Sequence, residues 1–63
     1  MFKKYSLIGV DGNALSVMGY VSNAMKECGK TKEDIDSYTR KAISGNYNDL
    51  LKLSQAVLDD LNI

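Results

Sequence analysis

The segment from Asp11 to Cys28 constrains the fold more than any other stretch, because its apolar residues recur at helical spacing. Asp11 or Asn13 can accept a backbone N–H at its start, and Gly29 can supply a left-handed stop at its end. We therefore predict a helix over residues 13–28, with Cys28 as a small core residue. Steps of three and four residues place one set on a single helical face, namely Ala14, Met18, Val21, Met25 and Cys28. Other elements must cover that face.

Two further helices are predicted downstream. Thr31 followed by Asp34 resembles a capping box and indicates a helix over residues 32–44. Its apolar stripe comprises Ile35, Tyr38, Ala42 and Ile43. Asn46 is a suitable cap for a third helix over residues 47–61. That helix carries two apolar stripes, which indicates either a central helix or an exposed stripe kept for a partner. The stripes are Leu50, Leu53, Val57 and Leu61 on one side, and Leu51 and Leu58 on the other.

The first ten residues lack a helical period. Several are residue types that favour strands, so we predict an extended segment over residues 4–8. A single strand needs partners for its backbone groups. It can pair with the same strand of a second chain, pair with the tail at residues 61–63, or lie as a coil over the bundle. The expectation is one all-α domain over residues 1–63, a three-helix core at 11–63 preceded by an extended segment at 1–10.

Size and cysteine content favour self-association. Domains under roughly 70–80 residues rarely gain more than about 3–5 kcal/mol from their core unless a disulfide, a metal ion or a partner chain adds stability. This chain has 63 residues. One cysteine excludes an intrachain disulfide, and the lack of histidine argues against a zinc site. A homodimer is therefore expected, with a well-packed monomer as the alternative.

Charge and motif content argue against several classes of function. Eight basic and eight acidic residues leave no net positive charge for nucleic acid, and the third helix has only Lys52 as a basic group. No signal peptide or membrane span is visible, and a lone thiol fits the cytoplasm. Lys26, Lys30 and Lys32 surround the end of the first helix, where they are expected to face its negative dipole end.

Catalysis is not expected. There is no histidine, and Asp59 and Asp60 are adjacent on a helix, so their side chains point about 100° apart. No histidine is present to activate Cys28 as a nucleophile. We predict no catalytic residues, no cofactor and no metal site.

Two Gly-Asn pairs mark the starts of the first and third helices. Such starts present N–H groups that bind anions, although ordinary capping explains the same residues. Tyr20, Tyr38 and Tyr47 can stack a ring nearby. Gly19 costs about 1 kcal/mol in mid-helix, so we expect a close neighbour there, either another helix or a second chain. The candidate residues for ligand or partner binding are Asp11, Gly12, Asn13, Gly19, Tyr20, Gly45, Asn46 and Tyr47.

Three blocks of sequence resemble a family of small uncharacterised proteins of bacteria and their phages. They read DGNALSVMG at 11–19, GKTKEDID at 29–36 and SGNYNDLL at 44–51. The resemblance implies a cytoplasmic accessory protein of bacterial or phage origin, with no established activity. That family commonly has an aromatic residue in place of Leu15, and Asp in place of Asn46 and Asn48. The missing carboxylates argue against a cation at the third helix start.

Two functions follow as hypotheses. The first is a non-enzymatic helical interaction module that self-associates and binds a protein partner. The alternative is a small-ligand or nucleotide binder that uses the Gly-Asn helix starts.

Overall fold

The computed structural model describes residues 5–63, most of which lie in three helices. These are α1 (Ala14–Glu27), α2 (Lys32–Ser44) and α3 (Tyr47–Leu61). The all-α three-helix prediction is confirmed, and no strand occurs within residues 5–63. The predicted bounds of α2 and α3 agree with the structure. Helix α1 is one residue shorter at each end, because Asn13 and Cys28 are its caps.

The starts of all three helices are fixed by side-chain caps. Thr31 Oγ1 accepts from the Asp34 N–H at 3.1 Å, and the Asp34 carboxylate accepts from the Thr31 N–H at 3.3 Å. Asn46 and Asp49 form the same reciprocal pair at the start of α3. The Asn13 amide oxygen accepts from the N–H two residues later, at 2.8 Å. These contacts satisfy backbone donors that have no partner inside a helix.

Helix α1 ends in a Schellman motif. Gly29 has a φ of 81°, in the left-handed region that favours glycine. Its N–H donates to the Lys26 carbonyl at 3.1 Å, and the Lys30 N–H donates to the Met25 carbonyl at 3.0 Å. Two backbone donors of the link therefore satisfy carbonyls at the end of α1.

Helices α1 and α3 run in the same direction, and α2, which connects them along the chain, runs in the opposite direction. At one end, the Tyr47 hydroxyl at the start of α3 donates to the Gly12 carbonyl just before α1. At the other end, Asn62 follows α3 and bonds to Tyr5, whose hydroxyl reaches Glu27 in the last turn of α1. Each end of the bundle thus joins corresponding ends of α1 and α3.

The core lies between all three helices. Its buried apolar members are Tyr5, Val17, Val21, Ala24, Met25, Tyr38, Ala42, Leu50 and Leu58. One polar pair is buried with them, because Tyr38 Oη and Ser54 Oγ lie 2.6 Å apart between α2 and α3. Helix α3 contacts both other helices, and four more of its apolar residues pack half-buried on the core, namely Leu51, Leu53, Val57 and Leu61. Every helix of the bundle contacts both others, so α3 is no more central than α1, and the additional apolar residues of α3 are half-buried rather than fully exposed.

Two apolar residues lie outside the core that their spacing predicted. Cys28 is exposed, because it is the C-cap of α1 and no longer follows the helical stripe. Ile43 is 65% exposed, since the neighbouring Ala42 takes the buried position in the last turns of α2. The predictions of Cys28 as a core residue and of Ile43 as part of the buried stripe are wrong.

The N-terminal segment has no strand in its described part. Residues 5 and 6 have no regular structure, and residues 7–10 form a turn. The Val10 N–H donates to the Leu7 carbonyl at 3.1 Å, and Gly9 has a φ of 84°. The segment therefore lies as a coil over the bundle. Position 4 of the predicted extended stretch falls outside the described residues.

Candidate interaction site

An uncharged groove opens at the end of the bundle where α1 and α3 begin. We call it the helix-start groove, and it encloses about 260 Å³. Its lining residues are Ala14, Met18, Ala42, Ile43, Gly45, Asn46, Tyr47 and Leu50. A quarter of the chain is charged, yet none of these eight residues is. Ile43 and Tyr47 are 65% and 43% exposed, so the groove presents large apolar side chains to solvent.

Half of the predicted binding residues meet at this groove. Gly45, Asn46 and Tyr47 line it directly. Gly12 joins them through its carbonyl, which accepts the hydrogen bond from the Tyr47 hydroxyl. Leu15, in the first turn of α1, is 75% exposed but is not among the residues that line the groove.

Contacts within the fold explain why position 45 is occupied by glycine. A Cβ atom at this position would lie 2.6 Å from the Asp49 Oδ2 atom and 2.8 Å from the Asp49 Cβ. The Asp49 carboxylate needs that space because it accepts from the Asn46 N–H at 3.3 Å in the capping box. A carboxylate of the chain itself therefore stands at the start of α3, in the place that the small-ligand hypothesis gives to an external anion.

The backbone N–H groups at the start of α1 are also bonded by side chains of the chain itself. The Asp11 carboxylate accepts from the Asn13 N–H at 3.2 Å, and the Asn13 amide oxygen caps the helix. A negative side chain beside the positive helix end satisfies the dipole without a ligand. Ordinary capping accounts for the helix-start contacts that Asn13 and Asn46 make.

The remaining candidate residues lie apart from the groove lining. The Tyr20 hydroxyl accepts from the Ser6 N–H at 3.1 Å and so holds the N-terminal segment. Tyr38 is only 4% exposed, so its ring is not available to stack a ligand. No described atom beyond the local backbone lies within 4 Å of a Cβ placed on Gly19. The expectation that another helix of the fold packs there is wrong, and the second-chain alternative stays a prediction.

The opposite end of the bundle is closed by a group that we call the Tyr5 clamp: Tyr5, Glu27, Cys28 and Asn62. The Asn62 side chain accepts from the Tyr5 N–H at 2.9 Å and donates to the Tyr5 carbonyl at 2.8 Å. The Tyr5 hydroxyl donates to Glu27 Oε2 at 3.0 Å. The Cys28 thiol at 3.6 Å, burial of the ring and the Glu27 carboxylate together raise the pKa of Tyr5. Helical periodicity gives no signal for this cluster.

The fold and this site define a small three-helix bundle with one closed end and one uncharged open groove. No helix within residues 5–63 is long and apolar enough to cross a membrane. Comparisons of the chain with protein-family models, with curated proteins and with solved structures found no significant match.

Proposed function

We propose that this chain is a non-enzymatic helical interaction module, whose helix-start groove packs against the same groove of a second copy. One observation carries the proposal: the eight groove-lining residues include no charged side chain and leave Ile43 and Tyr47 largely or partly exposed. Contiguous apolar surface rimmed by polar residues is typical of an interaction site. Closing the groove removes that surface from water at a gain of about 25 cal/mol per Å².

A second copy suits this surface because a twofold contact brings identical patches together. An uncharged patch meets its own copy without like-charge repulsion. A contact made by the eight lining residues is small compared with the roughly 20–30 residues that each partner contributes to a stable interface. The proposed dimer is therefore weak and depends on concentration.

Weak self-association also leaves the groove open to a protein partner. In the monomer, the same exposed Ile43 and Tyr47 are available to an apolar side chain of another protein. We extend the proposal to an accessory role in the cytoplasm, as the sequence resemblance to small bacterial and phage proteins implies. The proposal includes no catalysis and no cofactor.

The small-ligand alternative has less support. An anion or nucleotide at the Gly-Asn helix starts would meet the Asp11 and Asp49 carboxylates, which already bond to backbone N–H groups there. Like charge at the same position opposes such binding.

Sedimentation equilibrium over a range of protein concentrations tests the self-association. Ile43→Lys places a cation in the groove, and a cation suits the last turn of α2 because it faces the negative dipole end. Ile8→Lys is the matched control, because Ile8 is 92% exposed and lies outside the groove. We expect the wild-type mass to rise toward the dimer with concentration, Ile8→Lys to follow it, and Ile43→Lys to stay monomeric.

Two results would contradict this proposal. The first is a wild-type chain that stays monomeric throughout the micromolar to millimolar range. The second is equal dimerisation by wild type and Ile43→Lys, which would place the contact elsewhere on the surface.

A further inference from the structure

We propose that a pocket between the end of α1 and the start of α2 binds the phosphate groups of small organic phosphates. We call it the lysine pocket. It is an open surface cleft of about 430 Å³, lined by Ser22, Asn23, Lys26, Lys30, Lys32 and Ile35. This site lies away from the helix-start groove and shares no lining residue with it. The inference is therefore independent of the proposed self-association.

The charge of the lining residues favours an anionic ligand. The chain as a whole is neutral, yet three of its eight basic residues line this pocket and no acidic residue does. Within residues 5–63, none of the three ammonium groups has an ion-pair partner. Like charges gathered around one cavity repel each other, and an anion with two or more charges relieves that repulsion.

The helix dipole does not account for all three lysines. Lys26 lies in the last turn of α1, where a cation is favourable. Lys32 is the first residue of α2, where the positive end of the dipole makes a cation unfavourable. The link also donates two backbone N–H groups to the α1 carbonyls, so lysine side chains are not needed there. An anionic ligand gives Lys32 a favourable role.

The lining indicates the class of anion. Lysine binds phosphate as a point charge, and the Ser22 hydroxyl and Asn23 amide add neutral donors. Ile35 supplies an apolar wall beside them. The volume falls within the roughly 300–1,000 Å³ of small-molecule sites, which exceeds the need of a single phosphate. We therefore assign the pocket to a phosphorylated small molecule.

Phosphate groups also occur on nucleic acids and on lipid headgroups. Proteins that bind a nucleic acid backbone typically make about 6–10 phosphate contacts, whereas this pocket offers three cations. Three lysines around a concave site suit a compact polyanion better than an extended one.

An NMR titration with inorganic pyrophosphate at low ionic strength tests the assignment. The comparison uses wild type, Lys32→Gln and Lys52→Gln, where Lys52 is an exposed lysine of α3 outside the pocket. We expect saturable amide shifts over residues 22–35 in wild type. Binding should weaken about threefold to tenfold in Lys32→Gln, as for loss of one net hydrogen-bonding contact by an exposed side chain, and should be unchanged in Lys52→Gln. Spectra without pyrophosphate verify that each variant keeps the wild-type fold.

Several outcomes would overturn the assignment. One is the absence of saturable shifts at millimolar pyrophosphate, and another is equal weakening in both variants. Parallel titrations use a short single-stranded oligonucleotide and vesicles of anionic phospholipid. If either of these binds more tightly than pyrophosphate and the binding depends on Lys32, the ligand of the pocket is a nucleic acid or a membrane surface and not a small molecule.

Discussion

The two ends of the bundle differ in how fully their side chains are buried. At the Tyr5 clamp, the Asn62 side chain bonds both backbone groups of Tyr5, and the Tyr5 side chain is almost fully buried. At the helix-start groove, Ile43 remains 65% exposed and the lining has no charged side chain. The same three helices build both ends, so the difference arises from the segments that flank the helices.

This difference shows which end of the bundle leaves large apolar side chains exposed to solvent. The N-terminal coil closes the clamp end, and no comparable segment within residues 5–63 covers the groove end. Both apolar stripes of α3 are buried or half-buried against the core, whereas Ile43 is mostly exposed. An interaction site is therefore indicated by Ile43 and Tyr47 rather than by the stripes of α3.

The sharpest contrast between the two ends is expected from alanine substitutions. Leu58 is fully buried near the end of α3, and Leu58→Ala should lower the free energy of unfolding by about 2–5 kcal/mol through the cavity it leaves. Ile43→Ala should change that free energy by about 0.5 kcal/mol or less, because the side chain is exposed. Urea unfolding at low protein concentration measures both. Similar losses would mean that the groove end is as closed as the clamp end.

Removing the Asn62 amide should open the clamp. Asn62→Ala deletes two hydrogen bonds to the Tyr5 backbone, with an expected loss of about 1–3 kcal/mol at 0.5–1.5 kcal/mol for each bond. Hydrogen exchange at the Tyr5 amide should accelerate with it. Asn48→Ala is the control, because Asn48 is exposed on α3. Unchanged Tyr5 exchange in Asn62→Ala would show that the clamp does not depend on this amide.

Two glycines should respond to alanine with opposite signs. Gly45→Ala places a Cβ against Asp49, and loss of that cap should cost about 0.5–2 kcal/mol. Gly19→Ala adds a methyl group in open space and should gain up to about 1 kcal/mol from helix propensity. Thermal unfolding of both variants measures the pair. A loss for Gly19→Ala that grows with protein concentration would indicate that a second chain covers Gly19.

Local chemistry makes the helices predictable. The Thr31–Asp34 pair fixes the start of α2, and the Asn46 cap fixes the start of α3. Gly29 lies just after the end of α1, and Gly45 directly follows α2. Capping depends on residues within a few positions of each other, so a short stretch of sequence contains the whole signal. The apolar spacing then places most of the core correctly.

Contacts between distant residues are not predictable in this way. Asn62 bonds to Tyr5 across 57 positions, and the sequence around either residue gives no sign of that pairing. Periodicity also assigns both Ala42 and Ile43 to one stripe, although only Ala42 is buried. Which edge of a stripe stays exposed depends on how neighbouring helices cover it, and this exposed edge forms part of the groove.

An NMR experiment on a mixture of isotope-labelled and unlabelled chains tests most directly where two copies meet. Isotope-filtered NOEs report only contacts between different chains. Our proposal predicts intermolecular NOEs from the Ile43 methyl groups to Met18 and to the Tyr47 ring of the second copy. Intermolecular NOEs confined to the Tyr5 clamp, or none at a concentration where the chain is dimeric, would contradict it.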